Sequence, residues 1–162
     1  FFAHAWESDD IREIAAVAAA MRGSAELALE AETEGRAFLL ILREAWPNAG
    51  LDRLAETLEH ADIAPTPPIV AGVAAKAYGA PQSSATALYL QSTVANLISA
   101  AVRLVPLGQT DGQRATAALE PAILGASDRA IACPVDEIGS TAVMVDIATM
   151  RHETQYTRLF RS

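Results

Sequence analysis

Apolar residues recur at the spacing of an α-helix along most of the chain, and the pattern is clearest in residues 81–105. Neither proline nor glycine interrupts this segment between Pro81 and Pro106. Its apolar positions follow one another at intervals of four and three residues, which places them on one face of a helix. These positions are Leu90, Val94, Leu97, Ala101 and Leu104, widened by Ile98, Val102 and Val105. A face this wide predicts that the segment is the central helix of a bundle.

The exit from this segment carries strong turn signals. Pro106 lacks a backbone N–H and restricts the residue before it, so the helix should end there. Gly108 allows the backbone to turn. Thr110 and Gln113 match a capping box, with threonine as the N-cap and glutamine reaching back from the first turn. A further helix is therefore predicted to start near Asp111.

The same period predicts helices in most of the remaining chain. Ser8 and the two aspartates after it favour the start of a helix that Gly23 closes, and Ser24 can cap a long helix through Trp46. Further helical patterns occupy residues 51–58, 66–78 and 111–132. The last contains Pro121, so a kink or break is expected near Leu119. Gly35 and Gly72 lie inside two of these helices, where we expect another part of the chain to pack closely.

These features predict an all-α fold, a single-domain helical bundle with a short, irregular C-terminal tail. The 162 residues suit one domain with a real core. Aromatic residues make up only 6%, so closely packed helices are expected rather than a sheet of bulky strands. We expect the bundle to span residues 1–132 and the tail residues 133–162. A short helix could still form in the tail around Met144, Ile147 and Met150.

The charge and the cysteine content restrict the partners and the compartment. The formal net charge is −8, and a polyanion binder needs a basic face, so nucleic acid and anionic membranes are not expected as partners. Cys133 is the only cysteine, which excludes a disulfide within one chain and fits a reducing compartment. The first residues lack the features of a signal peptide, and the apolar runs are broken before they could span a bilayer. A cytoplasmic protein is expected.

Motifs that carry chemistry are scarce. Lys76 is the only lysine, and it does not lie in the Gly-rich loop that a nucleoside triphosphate site needs. No Gly-x-Ser-x-Gly sequence is present, and the His152–Glu153 pair lacks the second histidine of a zinc-protease helix. We therefore expect neither catalytic activity nor a bound cofactor.

Two other interpretations remain open from the residues alone. The chain could be a nickel carrier that assembles its ligands across a dimer interface, because imidazole and thiolate groups suit nickel or zinc. The available ligands are His4, His60, His152 and Cys133. A small all-α enzyme with a site at Arg103 and Tyr89 is the other possibility.

The last residues of the chain form an amphipathic segment. Residues 151–162 combine three arginines and a histidine with tyrosine, leucine and phenylalanine. This mixture is common at protein interfaces, and a terminal segment of this kind buries itself poorly alone. It could pack on its own domain, but we favour a tail that a partner protein orders.

Two separate segments resemble the family of the urease accessory protein UreF. They are AAVRLVPLGQTDGQR, residues 100–114, and the closing MRHETQYTRLFRS, residues 150–162. The likeness extends more weakly through VAGVAAKAYGAP, residues 70–81, to the first helices, so it covers nearly all of the chain. The family pattern also includes an earlier segment with a Pro-Gly turn and a Ser-His-Gly motif, which we do not find here.

The resemblance implies an all-helical, non-catalytic protein of the cytosol that helps to insert nickel into urease. It also implies homodimerisation and three partners: a UreD/UreH scaffold protein, the GTPase UreG and, through them, urease apoprotein. The tail residues that we expect to face the scaffold protein are Arg151, His152, Glu153, Tyr156, Arg158, Leu159 and Phe160. The residues that match the central turn of the family, also expected at a partner interface, are Gly108, Gln109, Thr110 and Gly112.

Overall fold

The computed structural model describes residues 1–140 and 142–155, and these residues confirm the all-α prediction. Among them are eight α-helices, one turn of 3-10 helix and no β-strand. The α-helices are α1 (Phe2–Glu7), α2 (Arg12–Ala20), α3 (Ala25–Ala45), α4 (Ala49–His60), α5 (Pro67–Ala77), α6 (Gln82–Leu104), α7 (Gln109–Ala132) and α8 (Val143–Glu153). The 3-10 turn spans Val135–Glu137, between α7 and α8.

Helix α5 lies at the centre of the core, in contact with α1, α3, α4 and α6. Its Ile69 and Val70 are almost completely buried. Helix α4 adds three leucines to this core, and α2 adds an isoleucine and two alanines: Leu51, Leu54, Leu58, Ile14, Ala15 and Ala18. The prediction that residues 81–105 form the central, buried helix is therefore wrong, because α5 occupies that place.

Two glycines allow the helices around this core to approach closely. A Cβ atom on Gly72 of α5 would lie 2.5 Å from the carbonyl oxygen of Phe2 in α1. A Cβ atom on Gly35 of α3 would meet the backbone of Pro65, which precedes α5. Since neither neighbour is a flexible side chain, both contacts require glycine, and the prediction of close packing at both positions is confirmed.

Helices α6 and α7 form an antiparallel hairpin, joined by a short loop. Ile98 and Val102 of α6 lie 3.4 and 3.1 Å from the place that a Cβ atom of Gly112 in α7 would occupy. Away from α7, much of α6 is exposed, and Thr86 near its start is its only buried residue. By length and composition alone, α6 could cross a membrane, and only 6% of that apolar stretch is buried. Its apolar face is left largely uncovered by the rest of the described chain.

The boundaries of the hairpin match the sequence signals in part. Helix α6 ends at Leu104, shortly before Pro106, as predicted. Helix α7 begins at Gln109 with Gly108 as its N-cap, whose N–H donates to Oδ2 of Asp111 at 3.2 Å. The assignment of Thr110 as N-cap is therefore wrong. The helix also runs through Pro121 without a break. It packs on α6 at Gly112 before the proline, and Ile123 after the proline lines a groove together with Leu88 of α6.

The first helices differ from the prediction at one end only. Ser24 caps α3 by accepting the N–H of Leu27 at 3.2 Å, as predicted. Ser8, in contrast, follows α1 as its C-cap, and α2 begins four residues later at Arg12. Helix α1 was missed because six residues are too few to display a helical period.

Candidate interaction surfaces

One side of the α6–α7 hairpin is an exposed apolar surface, which we name the hairpin face. It consists of Leu97, Ala101 and Leu104 on α6 and Ala115, Ala118, Leu119 and Ala122 on α7, all of them exposed. Leu97 is 67% exposed and Leu104 is 54% exposed. The sequence pattern had grouped the α6 residues correctly on one face of their helix, but this face points to the outside.

The two helices contribute to the same side of the hairpin. Ile98 and Val102 lie on the side of α6 that faces α7. At roughly 100° per residue, Leu97, Ala101 and Leu104 lie about 80–140° around the helix axis from that side, all in the same direction. On α7, the exposed alanines lie roughly 60–120° around the axis from Gly112, which faces α6. Since the helices run antiparallel, both rotations lead to one side, and the hairpin face is continuous.

The residues of the central turn lie at the tip of the hairpin. Gly108, Gln109 and Thr110 are exposed, and the exposed fraction of the neighbouring Leu107 side chain is 44%. Gly112 is buried against α6. The structure therefore makes three of these four residues available at the surface, whereas Gly112 serves the packing of the hairpin.

Helix α8 is also apolar on its outer side, which we name the α8 face. Its members are Val143, Met144, Ile147 and Met150, with exposed fractions of 59%, 75%, 36% and 52%. None of the residues of α8 is buried. The side of α8 that turns towards α3 is instead polar and carries Asp146, His152 and Glu153.

Two of the predicted tail residues bind the start of α3. Nδ1 of His152 lies 2.9 Å from Oε2 of Glu26, and Oε1 of Glu153 accepts the N–H of Glu26 at 3.1 Å. Both tail side chains are half-buried, whereas Arg151 is exposed. Sequence reasoning missed Glu26, because 126 residues separate it from His152 and no local signal reports such a contact. The other predicted tail residues lie outside the described part of the chain: Tyr156, Arg158, Leu159 and Phe160.

The two residues proposed for an enzyme site are not brought together. Tyr89 stacks on Phe2 with ring centroids 4.8 Å apart, and burial raises the pKa of its hydroxyl. Arg103 lies at the exposed end of the same helix, where it donates to Oγ of Ser99 at 3.0 Å. Their positions differ by fourteen residues, which corresponds to a separation of about 21 Å along α6. A single site that uses both side chains is therefore not formed.

The possible metal ligands are dispersed in the described residues. His60 ends α4, where its Nδ1 contacts the carbonyl oxygen of Glu56, and Cys133 follows the end of α7. His152 contacts Glu26. Within residues 1–140 and 142–155, no three His, Cys, Asp or Glu side chains are grouped in a way that could hold a metal ion.

Comparison with known proteins gives consistent matches. A family model described as UreF matches residues 1–120. The urease accessory protein UreF of Rhodopseudomonas palustris strain BisB5 is 44% identical over 172 residues, covering 100% of this chain and 68% of that protein. Those of Bradyrhizobium sp. strain BTAi1 and Granulibacter bethesdensis are 47% and 46% identical, covering 95% and 93% of this chain and 62% of each relative. The chain thus spans about two thirds of the length of these relatives.

Proposed function

Because the chain belongs to the UreF family of urease accessory proteins, we propose that it is a non-catalytic adaptor in the insertion of nickel into urease. In this role it binds a UreD/UreH scaffold protein and recruits or regulates the GTPase UreG, and through them it reaches urease apoprotein. Nucleotide hydrolysis and metal transfer take place on the partners. The site of action is the cytoplasm.

The observation that carries this proposal is the amount of apolar surface that the described chain leaves uncovered. Both the hairpin face and the α8 face present large apolar side chains to solvent. Monomeric soluble proteins rarely expose contiguous apolar patches beyond a few hundred Å², and larger patches mark interaction sites. Two such faces on different elements fit a protein that holds several partners at once.

We assign the hairpin face to a second copy of the same chain. The face combines two leucines and an alanine on α6 with three alanines and a leucine on α7. Small side chains let a second pair of helices approach closely, and the leucines then supply the apolar area to be buried. Two-fold pairing of such a face with itself gives a closed dimer, the commonest symmetry of soluble oligomers.

We assign the α8 face and the tail, residues 133–162, to the scaffold protein. Arg151 is exposed beside the α8 face, and a rim arginine next to methionines and an isoleucine is a composition that interfaces favour. The exposed turn at Gly108, Gln109 and Thr110 belongs to a different element, the tip of the hairpin, and remains available for a further partner. We propose it as the contact with the GTPase.

The adaptor role can be tested by mixing the purified chain with the scaffold protein and the GTPase and separating the mixture by gel filtration. We expect all three proteins to elute in one peak, because the adaptor bridges the other two. In the matched control, the scaffold protein and the GTPase without the chain should elute apart. Separate elution of the three proteins, or a complete complex without the chain, would rule out the adaptor role.

A further inference from the structure

A cleft lies between α1 with its connection to α2, helix α4 and the C-terminal half of α5, and we name it the Arg53 cleft. Its volume is about 380 Å³, within the range of roughly 300–1,000 Å³ that is usual for ligand sites. The floor is apolar and is formed by the buried side chains of Ala5, Ile11 and Leu54. Polar side chains that are exposed or half-buried form the rim: Asp9, Asn48, Arg53, Thr57 and Lys76. The residues that line the cleft belong to neither the hairpin face nor the α8 face.

Hydrogen bonds join the three segments that surround the cleft. Nζ of Lys76 in α5 lies 2.9 Å from Oδ1 of Asp9 and donates to two backbone carbonyl oxygens at the end of α1. The side chain of Asn48 accepts the N–H of Gly50 at 2.8 Å and donates to the carbonyl oxygen of Ala77 at 3.1 Å, which ties the start of α4 to the end of α5. The shape of the cleft is therefore fixed before anything binds, and an occupant need not supply the free energy of ordering it.

Arg53 supplies an unpaired positive charge at the rim. Within residues 1–140 and 142–155 its guanidinium makes no hydrogen bond or ion pair, whereas Lys76 is paired with Asp9. Nη2 of Arg53 lies 3.9 Å from the place that a Cβ atom of Gly50 would occupy, so the side chain points back towards the start of α4. The partial positive charge of the helix N-terminus adds to that of the guanidinium there. This part of the surface can therefore attract an anion, although the net charge of the chain is −8.

The charge at the rim and the apolar floor together select the kind of occupant. One unpaired guanidinium matches one carboxylate, which it can bind through two parallel hydrogen bonds. A dianion such as phosphate fits less well, because the carboxylate of Asp9 at the same rim repels it. The apolar floor offers a place for an aliphatic side chain, whose burial removes apolar surface from water. An aspartate or glutamate beside a leucine or isoleucine combines both features.

We propose that the Arg53 cleft is a docking site for a short segment of a partner protein in which an acidic residue neighbours an aliphatic one. The carboxylate pairs with Arg53, and the aliphatic side chain lies on the floor against Ile11 and Leu54. An occupant of this kind shields the ion pair from water, which makes the pair stronger than one on an open surface. The cleft thus adds a binding site formed by α1, α4 and α5, the helices of the core.

A pair of peptides tests the chemistry of the cleft directly. Acetyl-Leu-Glu-amide should shift the NMR signals of the Arg53 Nε–H group and the Val73 methyl groups in a saturable way. Acetyl-Leu-Gln-amide, which has the same shape without the charge, should bind about tenfold more weakly, because hydrogen bonds to charged groups are the stronger ones. Arg53→Gln should abolish this preference. Arg129→Gln should keep it, since Arg129 is an exposed arginine on α7 outside the cleft. Equal binding of the two peptides, an unchanged preference in Arg53→Gln, or displacement of the peptide by inorganic phosphate would overturn the proposal.

The occupant is then sought among the partners of the proposed function. We measure the Kd of the chain for the scaffold protein and for the GTPase, and the Kd of the assembled complex for urease apoprotein. Arg53→Glu should raise one of these values about tenfold or more, by charge repulsion in a shielded site, and Arg129→Glu should leave all of them unchanged. Unchanged values in Arg53→Glu would overturn the docking of a partner in the cleft, while the adaptor role would stand. If the unsubstituted chain binds none of these proteins, the adaptor role fails, whereas the peptide titration still decides whether the cleft binds a carboxylate.

Discussion

Gly72 shows how a single missing side chain fixes the arrangement of two helices. In Gly72→Ala the added methyl group would lie 2.5 Å from the carbonyl oxygen of Phe2 and 2.8 Å from Cβ of Ala5, so α1 has to move away from α5. Overpacking of this kind costs roughly 1–3 kcal/mol. We expect a lower midpoint of urea unfolding, followed by circular dichroism.

Gly125 provides the matched control for that substitution. It lies inside α7, where a Cβ atom would meet only the end of the Arg129 side chain at 3.4 Å. Gly125→Ala should therefore stabilise the protein by roughly 0.5–1 kcal/mol, through helix propensity. A Gly72→Ala variant as stable as the original chain would mean that α1 does not pack on α5 as described.

At the scale of the helices, sequence reasoning succeeds wherever the cause is local. Ser24 and Pro106 act within one helical turn, and the helices start or stop close to where these residues predict. It fails where two local signals compete, as at the start of α7. There Gly108 is the N-cap in place of Thr110, and its N–H donates to the carboxylate of Asp111. Periodicity identifies the apolar face of a helix, but it does not say what covers that face.

Helix α6 illustrates this limit. The sequence correctly placed its apolar residues on one side of the helix, but the prediction that this side is buried in the core was wrong. A buried stripe and an interface stripe have the same spacing, because both are covered by apolar atoms in the final assembly. The contact of α8 with α3 could not be predicted from local signals for a different reason, because the residues that make it are far apart in the chain.

The assignment of the hairpin face to a second copy predicts a change in oligomeric state. Leu97→Glu places a charge on that face, where its burial against another chain is costly, so the dimer should dissociate. Light scattering should then report a mass near that of one chain, 17.1 kDa, instead of twice this value.

Leu88→Glu is the control for this experiment. Leu88 belongs to the same helix and is similarly exposed, at 69% against 67% for Leu97. It lies on the other side of the hairpin, where it lines a groove with Ile123 and Leu124. The Leu88 variant should remain dimeric. Loss of the dimer in both variants, or in neither, would contradict a self-association site at the hairpin face.

At the scale of the whole molecule, the core around α5 acts as a support for two projecting elements. The hairpin of α6 and α7 leaves its apolar face open at one place, and α8 presents its own face at another. The residues that bury the core make the fold, whereas the exposed apolar residues are the ones to which we assign partner binding. The proposed function therefore depends on these surfaces.

The adaptor role is tested most directly by measuring how strongly the scaffold protein is captured by the full chain and by a chain that ends after Met150. The shorter chain lacks Arg151 and also lacks His152 and Glu153, which contact Glu26 at the start of α3. Circular dichroism should confirm that its bundle remains folded. We predict that it captures the scaffold protein at least about tenfold more weakly, as the loss of a main binding element requires. Equal capture by the two chains would contradict the account.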